Sequence, residues 1–158
     1  MSHDIGRGLT LEPLDAAVAA SLAADFARMP PWSEYPYPAE AIAAYLDTVE
    51  RAAPRHAIHS GGVLAGAVGI RLDWLRGPYL QFLGILPSHQ GSGTGRAVLA
   101  WFETEARRAG SRNLWVAVSD FNGGAIRFYE RHGFRETARI DGLVQDGKIE
   151  ILMRKRLA

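Results

Sequence analysis

A glycine-rich segment is the part of this sequence whose residue types and spacing point most directly to chemistry. It reads Gln90-Gly91-Ser92-Gly93-Thr94-Gly95-Arg96 and lies between a predicted strand and a predicted amphipathic helix. Alternating glycines let the backbone adopt positive φ angles and approach an anion closely. The helix that follows offers unpaired N–H groups and the positive end of its dipole. The segment therefore predicts a phosphate or diphosphate site; a plain strand-to-helix turn is the alternative, although it needs fewer glycines.

Two common phosphate-binding motifs do not fit this segment. A P-loop requires Gly-Lys-Ser/Thr after its glycines, where this chain has Arg96-Ala97-Val98. The dinucleotide fingerprint needs its third glycine where Arg96 stands, and an acidic residue about twenty positions later. The chain has only apolar residues at 114–118. Both motifs are therefore excluded.

A second segment carries side chains suited to proton transfer. Asn122, Ala125 and Tyr129 are spaced i, i+3 and i+7 in a predicted helix, so they share one face. Tyr129 is a candidate general acid, because the ordinary pKa of a phenol, about 10, keeps it protonated at neutral pH. Two structural alternatives remain open, namely that Tyr129 is a core aromatic and that Asn122 only caps the helix.

The rest of the chain predicts the elements that position these segments. The predicted order is β-α-α-β-β-β-α-β-α-β-β, which gives an α/β fold in a single domain over residues 1–158. Helices are expected at about 16–28, 39–50, 96–109 and 122–132. Strands are expected at about 8–12, 55–59, 63–72, 79–86, 113–118, 134–140 and 148–157. Asp15 is a predicted N-cap and Gly110 a predicted C′ residue.

Composition narrows the classes of function. A net charge of +1 argues against a nucleic-acid binder, which would carry a basic patch. The chain has no cysteine, so thiolate nucleophiles and disulfides are excluded, and no metal site is expected. The sequence shows neither a secretory signal nor a membrane-spanning segment, so we expect no membrane association and a cytoplasmic location. A monomer and a homodimer both remain open.

The sequence resembles the GNAT superfamily of N-acetyltransferases. The family loop Q/R-x-x-G-x-G/A is matched by residues 90–95, and the N-x-x-A-x-x-F/L-Y-E-x-x-G-F segment is matched closely by residues 122–134. Residues 83–87 resemble the family strand that carries a bulge beside the acetyl group. The resemblance is good from about residue 79 to 134 and implies a mixed, mostly antiparallel sheet flanked by about four helices.

The resemblance also implies acetyl-CoA as co-substrate and direct transfer to an amine, without an acyl-enzyme intermediate. Backbone amides of the glycine segment would bind the diphosphate, the main chain of residues 83–85 would pair with pantetheine, and the Ile85 amide would stabilise the oxyanion. Tyr129 would protonate the departing thiolate. The implied donor-binding residues are Leu83, Gly84, Ile85, Gln90, Gly91, Ser92, Gly93, Thr94, Gly95, Arg96 and Asn122.

The general base is where the pattern departs from the family. Relatives carry a glutamate on either of two strands, where this chain has Ala117 and the pair Gln81 and Phe82. A lysine-like amine is only about one part in a thousand neutral at pH 7, so a base is expected. Glu34 is the predicted substitute, with a water chain or one of three other residues as alternatives: His56, His59 and Asp73.

The aromatic loop around Glu34 suggests where the acceptor binds. Trp32 and Tyr35 predict a ring-lined pocket for a cationic or apolar amine, and the alternative is that these rings only cap the core. We therefore expect an N-acetyltransferase acting on a small-molecule or peptide amine, including antibiotic-modifying or toxin-type enzymes. A non-catalytic acyl-CoA-binding sensor is the second hypothesis, and turnover distinguishes the two.

Overall fold

The computed structural model describes residues 1–158 and contains eight strands and four helices. The strands are β1 (His3–Gly6), β2 (Leu9–Pro13), β3 (Arg55–Ser60), β4 (Val63–Arg71), β5 (Tyr79–Ile85), β6 (Asn113–Ser119), β7 (Arg135–Asp141) and β8 (Ile149–Arg156). The helices are α1 (Ala16–Phe26), α2 (Ala39–Asp47), α3 (Thr94–Arg108) and α4 (Gly123–Arg131). None of these helices has the length and apolar character that a membrane span requires.

All eight strands form one sheet in the order β1-β2-β3-β4-β5-β6-β8-β7. Every neighbouring pair is antiparallel except β5 and β6, which are parallel. A helical crossover is the usual way to connect parallel neighbours, and here α3 provides it. The expected mixed, mostly antiparallel sheet with four helices is therefore confirmed.

The two faces of the sheet are covered by different helices. Helices α1 and α2 pack on one face through a small cluster that includes Phe26, Leu46 and Phe82. The larger cluster lies on the opposite face, where Phe102 of α3 and residues of α4 contact apolar side chains of the central strands. Burial of these apolar surfaces is the main favourable contribution to folding. Helices α3 and α4 both begin close to the end of β5, in the middle of the sheet.

Local signals at the helix ends behave as expected. The Asp15 carboxylate accepts a hydrogen bond from the Val18 N–H at 2.8 Å, as an N-cap does. Gly110 follows α3 with a φ of +75°, the left-handed conformation that glycine adopts at the end of a helix.

Two details of the predicted order were wrong. The strand β1 was not predicted; it is a short hairpin partner of β2, joined to it by a turn in which Gly6, Arg7 and Gly8 all have positive φ. Helix α2 ends at Asp47 rather than near residue 50, because Thr48 is already extended at φ −69° and ψ 129°. Neither difference moves an element of the candidate site.

Candidate active site

The site begins at a gap between two neighbouring strands. Strands β5 and β6 pair only at Tyr79–Trp115 and Leu80–Val116, and from there they diverge. Leu86 N–H donates to Ala65 O on the other side of β5 at 2.8 Å. Because successive amides of a strand point in opposite directions, the Ile85 N–H points into the gap. The sheet thus presents an unpaired backbone edge there.

A β-bulge shapes this part of β5. Gly69 of β4 pairs with Phe82, but the next residue, Ile70, pairs with Leu80, so Gln81 is the extra residue. A bulge bends its strand and increases the local twist, which fits the divergence from β6. The bulge expected in this strand is therefore present.

The glycine segment closes one end of the gap with free backbone donors. None of the amides from Gly91 to Arg96 donates a hydrogen bond within the protein. Gly91 and Gly93 have φ angles of +74° and +86°, which side-chain-bearing residues rarely adopt. Gly93 is the N-cap of α3, so the positive end of the helix dipole faces the same place. Six unpaired amides at a helix N-terminus form a strong anion site.

Two side chains fix or extend this anion site. Gln90 Nε2 donates to the Ile85 carbonyl at 2.9 Å, which ties the segment to the end of β5. Arg7, in the β1–β2 turn, places a guanidinium nitrogen 3.2 Å from where a Cβ on Gly93 would lie. Arg7 was not predicted from the sequence, because the chain places it 86 positions from Gly93 and only the sheet brings them together.

A cavity of about 530 Å³ joins the glycine segment, the strand gap and α4. Its walls include all but one of the predicted donor-binding residues, together with Trp32 and Tyr129. The exception is Ser92, whose exposed side chain donates to the His89 carbonyl at 2.6 Å and so shapes the segment. The predicted residues that line this cavity are Leu83, Gly84, Ile85, Gln90, Gly91, Gly93, Thr94, Gly95, Arg96 and Asn122.

Helix α4 presents its predicted face to this cavity. Asn122 Oδ1 accepts from the Ala125 N–H at 3.2 Å, so its side chain is a helix cap that also lines the cavity. Tyr129 packs edge-to-face on Phe128 and Phe134. Burial is the main factor that raises the pKa of the Tyr129 phenol, with a smaller contribution from Tyr79. The phenol therefore stays protonated at neutral pH and can donate a proton.

A second cavity, of about 160 Å³, adjoins the first and shares Trp32, Leu83, Asn122 and Tyr129 with it. Its walls are largely hydrophobic, include five aromatic side chains and contain no charged side chain. Trp32 stacks on Phe82 at 4.7 Å between ring centroids, so it both covers the core and lines the cavity. The aromatic loop therefore does both things that were considered for it: its rings cover the core, and they line a cavity.

Beneath this second cavity lies a carboxylate that was not predicted. Glu150 of β8 is only 6% exposed, and its Oε1 accepts from Tyr35 Oη at 2.5 Å and from Ser119 Oγ at 3.1 Å. The two hydroxyl oxygens lie 2.7 Å apart, and both residues line the cavity. Burial and the hydrogen bond to Glu150 raise the pKa of Tyr35 to about 12. Tyr35 is thus a neutral hydroxyl at physiological pH.

Glu34 does not lie with these groups. It is the last residue of a short 3₁₀-helix (Trp32–Glu34), its side chain is exposed, and it lines neither cavity. Gln81 and Ala117 do line the second cavity, at the positions where a base was sought, and neither can take up a proton. Of the other candidates, His56 packs against His3 and Trp101, away from both cavities.

Comparison with known proteins decides the family. Residues 18–134 match the model of the acetyltransferase (GNAT) family. The chain belongs to this family. Among its relatives, an aminoglycoside N(6')-acetyltransferase type 1 from Stenotrophomonas maltophilia is 32% identical over 138 residues, which cover 81% of this chain and 85% of that protein.

Other GNAT relatives match over shorter stretches or at lower identity. Streptothricin acetyltransferase from Streptomyces lavendulae is 28% identical over 102 residues, and the chain spans about half of that relative's length (54%). The yncA protein of Salmonella typhimurium, solved with its cofactor acetyl-CoA, has a TM-score of 0.67 at 20% identity, covering 96% of this chain and 95% of that one. The latter likeness shows the shared fold.

GNAT acetyltransferases take their acetyl group from acetyl-CoA, and the residues of this chain fit that molecule. The six free amides at the start of α3 suit a diphosphate. The unpaired edge of β5 suits the amides of an extended pantetheine arm, which would add to the sheet as a strand does. Gly84 leaves no room for a side chain, because a Cβ there would lie 2.6 Å from the Phe26 ring.

Proposed function

We propose that this protein is an acetyl-CoA-dependent N-acetyltransferase that transfers the acetyl group directly to an amine. One observation carries the proposal: the free amides of Gly91 to Arg96, the open edge of β5 and the Tyr129 phenol line one continuous cavity. Bound acetyl-CoA supplies an activated acyl thioester. The protein's residues bind it, orient it and move protons at its reacting end.

Each group has a role that follows from its chemistry. The Ile85 N–H, which points into the strand gap, would donate a hydrogen bond to the thioester oxygen as negative charge develops on it. Tyr129 would give its proton to the departing sulfur. The leaving group is a thiolate, whose thiol form has a pKa of about 8.5, and it departs more readily when a neighbouring acid protonates it. Asn122 holds the first turn of α4, so that Tyr129 stays at the cavity wall.

Direct transfer is the route that these residues support. The chain has no cysteine to form a thioester with the protein. The one serine that lines the second cavity, Ser119, donates its hydroxyl hydrogen to Glu150 within a buried network. We therefore expect no covalent acetyl-protein to accumulate when acetyl-CoA is supplied without an amine. Intact-mass spectrometry of the protein after such an incubation tests this expectation.

The donor is tested first, by a binding experiment. At a hundredfold excess over its dissociation constant, acetyl-CoA should stabilise the protein by about 2.7 kcal/mol, which corresponds to a rise of roughly 5–10 °C in Tm for a domain of this size. Calorimetry should give a dissociation constant on the order of micromolar. No binding by calorimetry at millimolar acetyl-CoA would remove the proposal.

The acceptor is tested next, by thiol release from acetyl-CoA. The panel should contain streptothricin, an aminoglycoside, an aminoalkylphosphonate and L-methionine sulfone, since relatives are named for these compounds. Polyamines and short peptides complete it. Turnover with at least one amine is expected. Tight acetyl-CoA binding without turnover on any amine would favour the non-catalytic sensor, for which the missing carboxylates at Gln81 and Ala117 are the supporting observation.

A further inference from the structure

Glu150 is the one acidic residue of this protein whose side chain is buried, and it forms no ion pair. It takes part in none of the seven ion pairs of the structure. Its Oε1 accepts two hydrogen bonds, but its Oε2 is buried and has no partner. Burying a carboxylate oxygen unpaired costs free energy. Because its two hydroxyl partners line a cavity, Glu150 is a candidate functional group.

The location of Glu150 connects it to the acceptor end of the site. On β8 it pairs with Ser119 of β6, two residues beyond Ala117. Its two hydroxyl partners, Tyr35 and Ser119, line the second cavity, whose wall contains Tyr129 as well. Each hydroxyl can accept a hydrogen bond from a ligand while it donates its own proton to Glu150. The hydroxyls thus bridge the cavity and the buried carboxylate.

The surroundings of this cavity favour a cation. Its lining has no charged side chain, so no positive group in the cavity wall offsets the Glu150 carboxylate. One ammonium group lies beside this cavity, since Lys148 Nζ is 5.5 Å from the ring centre of Tyr35 and 5.0 Å from that of Phe121. Cations are attracted to the faces of such rings.

We propose that Glu150, acting through the hydroxyls of Tyr35 and Ser119, accepts the proton of the acceptor, and that the acceptor is a cationic primary amine. The inference rests on the proposed function. An ammonium in the second cavity donates one proton to a hydroxyl oxygen, and that hydroxyl passes its own proton to Glu150. The neutral amine then forms the N–C bond as the C–S bond breaks.

The proton count of this reaction closes. Tyr129 gives its proton to the departing sulfur and recovers one from the nitrogen that has been acylated. Glu150 releases the proton that it holds to water when the product leaves. A cationic amine and an acyl thioester thus become a neutral amide, a thiol and one free proton. In this scheme Glu150 is a positioning and proton-storing residue, since it reaches the acceptor only through the two hydroxyls.

The first test measures charge preference with two probes of equal shape, benzylamine and benzyl alcohol. Calorimetry near neutral pH with saturating coenzyme A should show benzylamine binding about tenfold more tightly than the alcohol. Glu150→Gln should bring the two affinities within about twofold of each other. Glu103→Gln is the matched control, because Glu103 pairs with Lys155 and Arg107 far from the cavity. The control should keep the preference.

The second test follows benzylamine acetylation against pH. Near pH 7, Glu150→Gln should lower kcat by about a hundredfold, and the deficit should shrink about tenfold or more by pH 9.5, where much of the amine is already neutral. The ionisable groups that interact with Glu150 are Tyr35, Tyr37 and Tyr79, and Lys148 lies over the Tyr35 ring. Burial raises the pKa of each tyrosine above its usual value, so none of these phenols titrates in this range. Glu150→Asp should restore part of the activity.

The outcomes separate this inference from the proposed function. Acetyl-CoA affinity and Tm, measured for every variant, report on the donor site and on folding. Unchanged charge preference in Glu150→Gln, no preference in the wild type, or a deficit that is constant with pH would each overturn the role of Glu150. Such a result, obtained with normal acetyl-CoA binding, would leave the proposed function standing.

Discussion

At the scale of single residues, the Tyr129 hydroxyl is the group whose removal we expect to slow turnover. Tyr129→Phe removes only this oxygen and keeps the ring that packs on Phe128 and Phe134. Turnover should fall on the order of a hundredfold, the usual contribution of a general acid. The dissociation constant for acetyl-CoA should not change. Thiol-release kinetics and calorimetry measure the two quantities, and activity within twofold of wild type would contradict the assignment.

Trp32 tests whether the aromatic loop binds the acceptor as well as covering the core. Trp32→Ala removes a ring that stacks on Phe82 and packs at a tilt against Phe26, so the free energy of unfolding should fall by about 2–3 kcal/mol. Because Trp32 also lines both cavities, KM for the acceptor should rise at least severalfold. Denaturant titration and steady-state kinetics measure these effects. Lost stability with an unchanged KM would reduce Trp32 to a structural residue.

At the scale of elements, the start of α3 holds the anion site, and one glycine tests it. Gly93→Ala places a side chain at a φ of +86°, which costs about 1–2 kcal/mol, and its Cβ would press against Arg7. Acetyl-CoA should bind roughly tenfold more weakly, because the free amides of this segment would shift. Calorimetry and thermal unfolding measure the two effects.

A glycine at the opposite end of the same helix is the control. Gly110→Ala meets the same backbone penalty at a φ of +75°, but no atom lies near the new Cβ. It should lower stability to a similar degree and leave acetyl-CoA affinity unchanged. Equal loss of affinity in both variants would mean that helix stability, rather than the local amides, governs binding.

Elements with a local signal could be predicted, and those that depend on distant partners could not. Helix α3 and the segment before it carry glycines, apolar spacing and a C′ residue within a short stretch, so both the element and its chemistry could be derived. Strand β1 contains a single apolar residue, Ile5, and exists because β2 pairs with it. No local pattern marks such a strand.

The same contrast applies to Glu34 and Glu150. The aromatic residues around Glu34 in the sequence favour it as the base, yet its side chain is exposed. Glu150 lies in a strand with no distinctive neighbours, and its hydrogen-bond partner Tyr35 is 115 residues away. A buried carboxylate of this kind becomes visible only when the sheet brings β6, β8 and the aromatic loop together.

At the scale of the whole molecule, His56 should make stability depend on pH. Burial is the main reason that the pKa of this imidazole is lowered, and the nearby His3 and the N-terminus add to the effect. The unfolded chain therefore binds protons more readily than the folded one. Above about pH 6.5, the pKa of histidine in the unfolded chain, His56 should not lower the free energy of unfolding. Below that pH the free energy of unfolding should fall until the pH reaches the lower pKa of His56 in the folded protein.

Replacing this histidine tests the prediction. His56→Gln should flatten the dependence of the unfolding free energy on pH between about pH 7 and pH 5, above the range in which carboxylates titrate. Urea titrations at several pH values give the free energies. An unaltered slope in the variant would assign the effect to other groups.

The divergence of β5 from β6 also bears on how the protein behaves without its donor. The Leu83 and Ile85 amides on that side have no strand partner in β6, and a bound pantetheine arm would supply one. In hydrogen–deuterium exchange these two positions should exchange quickly in the apoprotein and slow sharply when acetyl-CoA is added. Bound acetyl-CoA would thus provide the hydrogen bonds that β5 and β6 do not make with each other. Its binding would make this part of β5 more rigid before the acceptor binds.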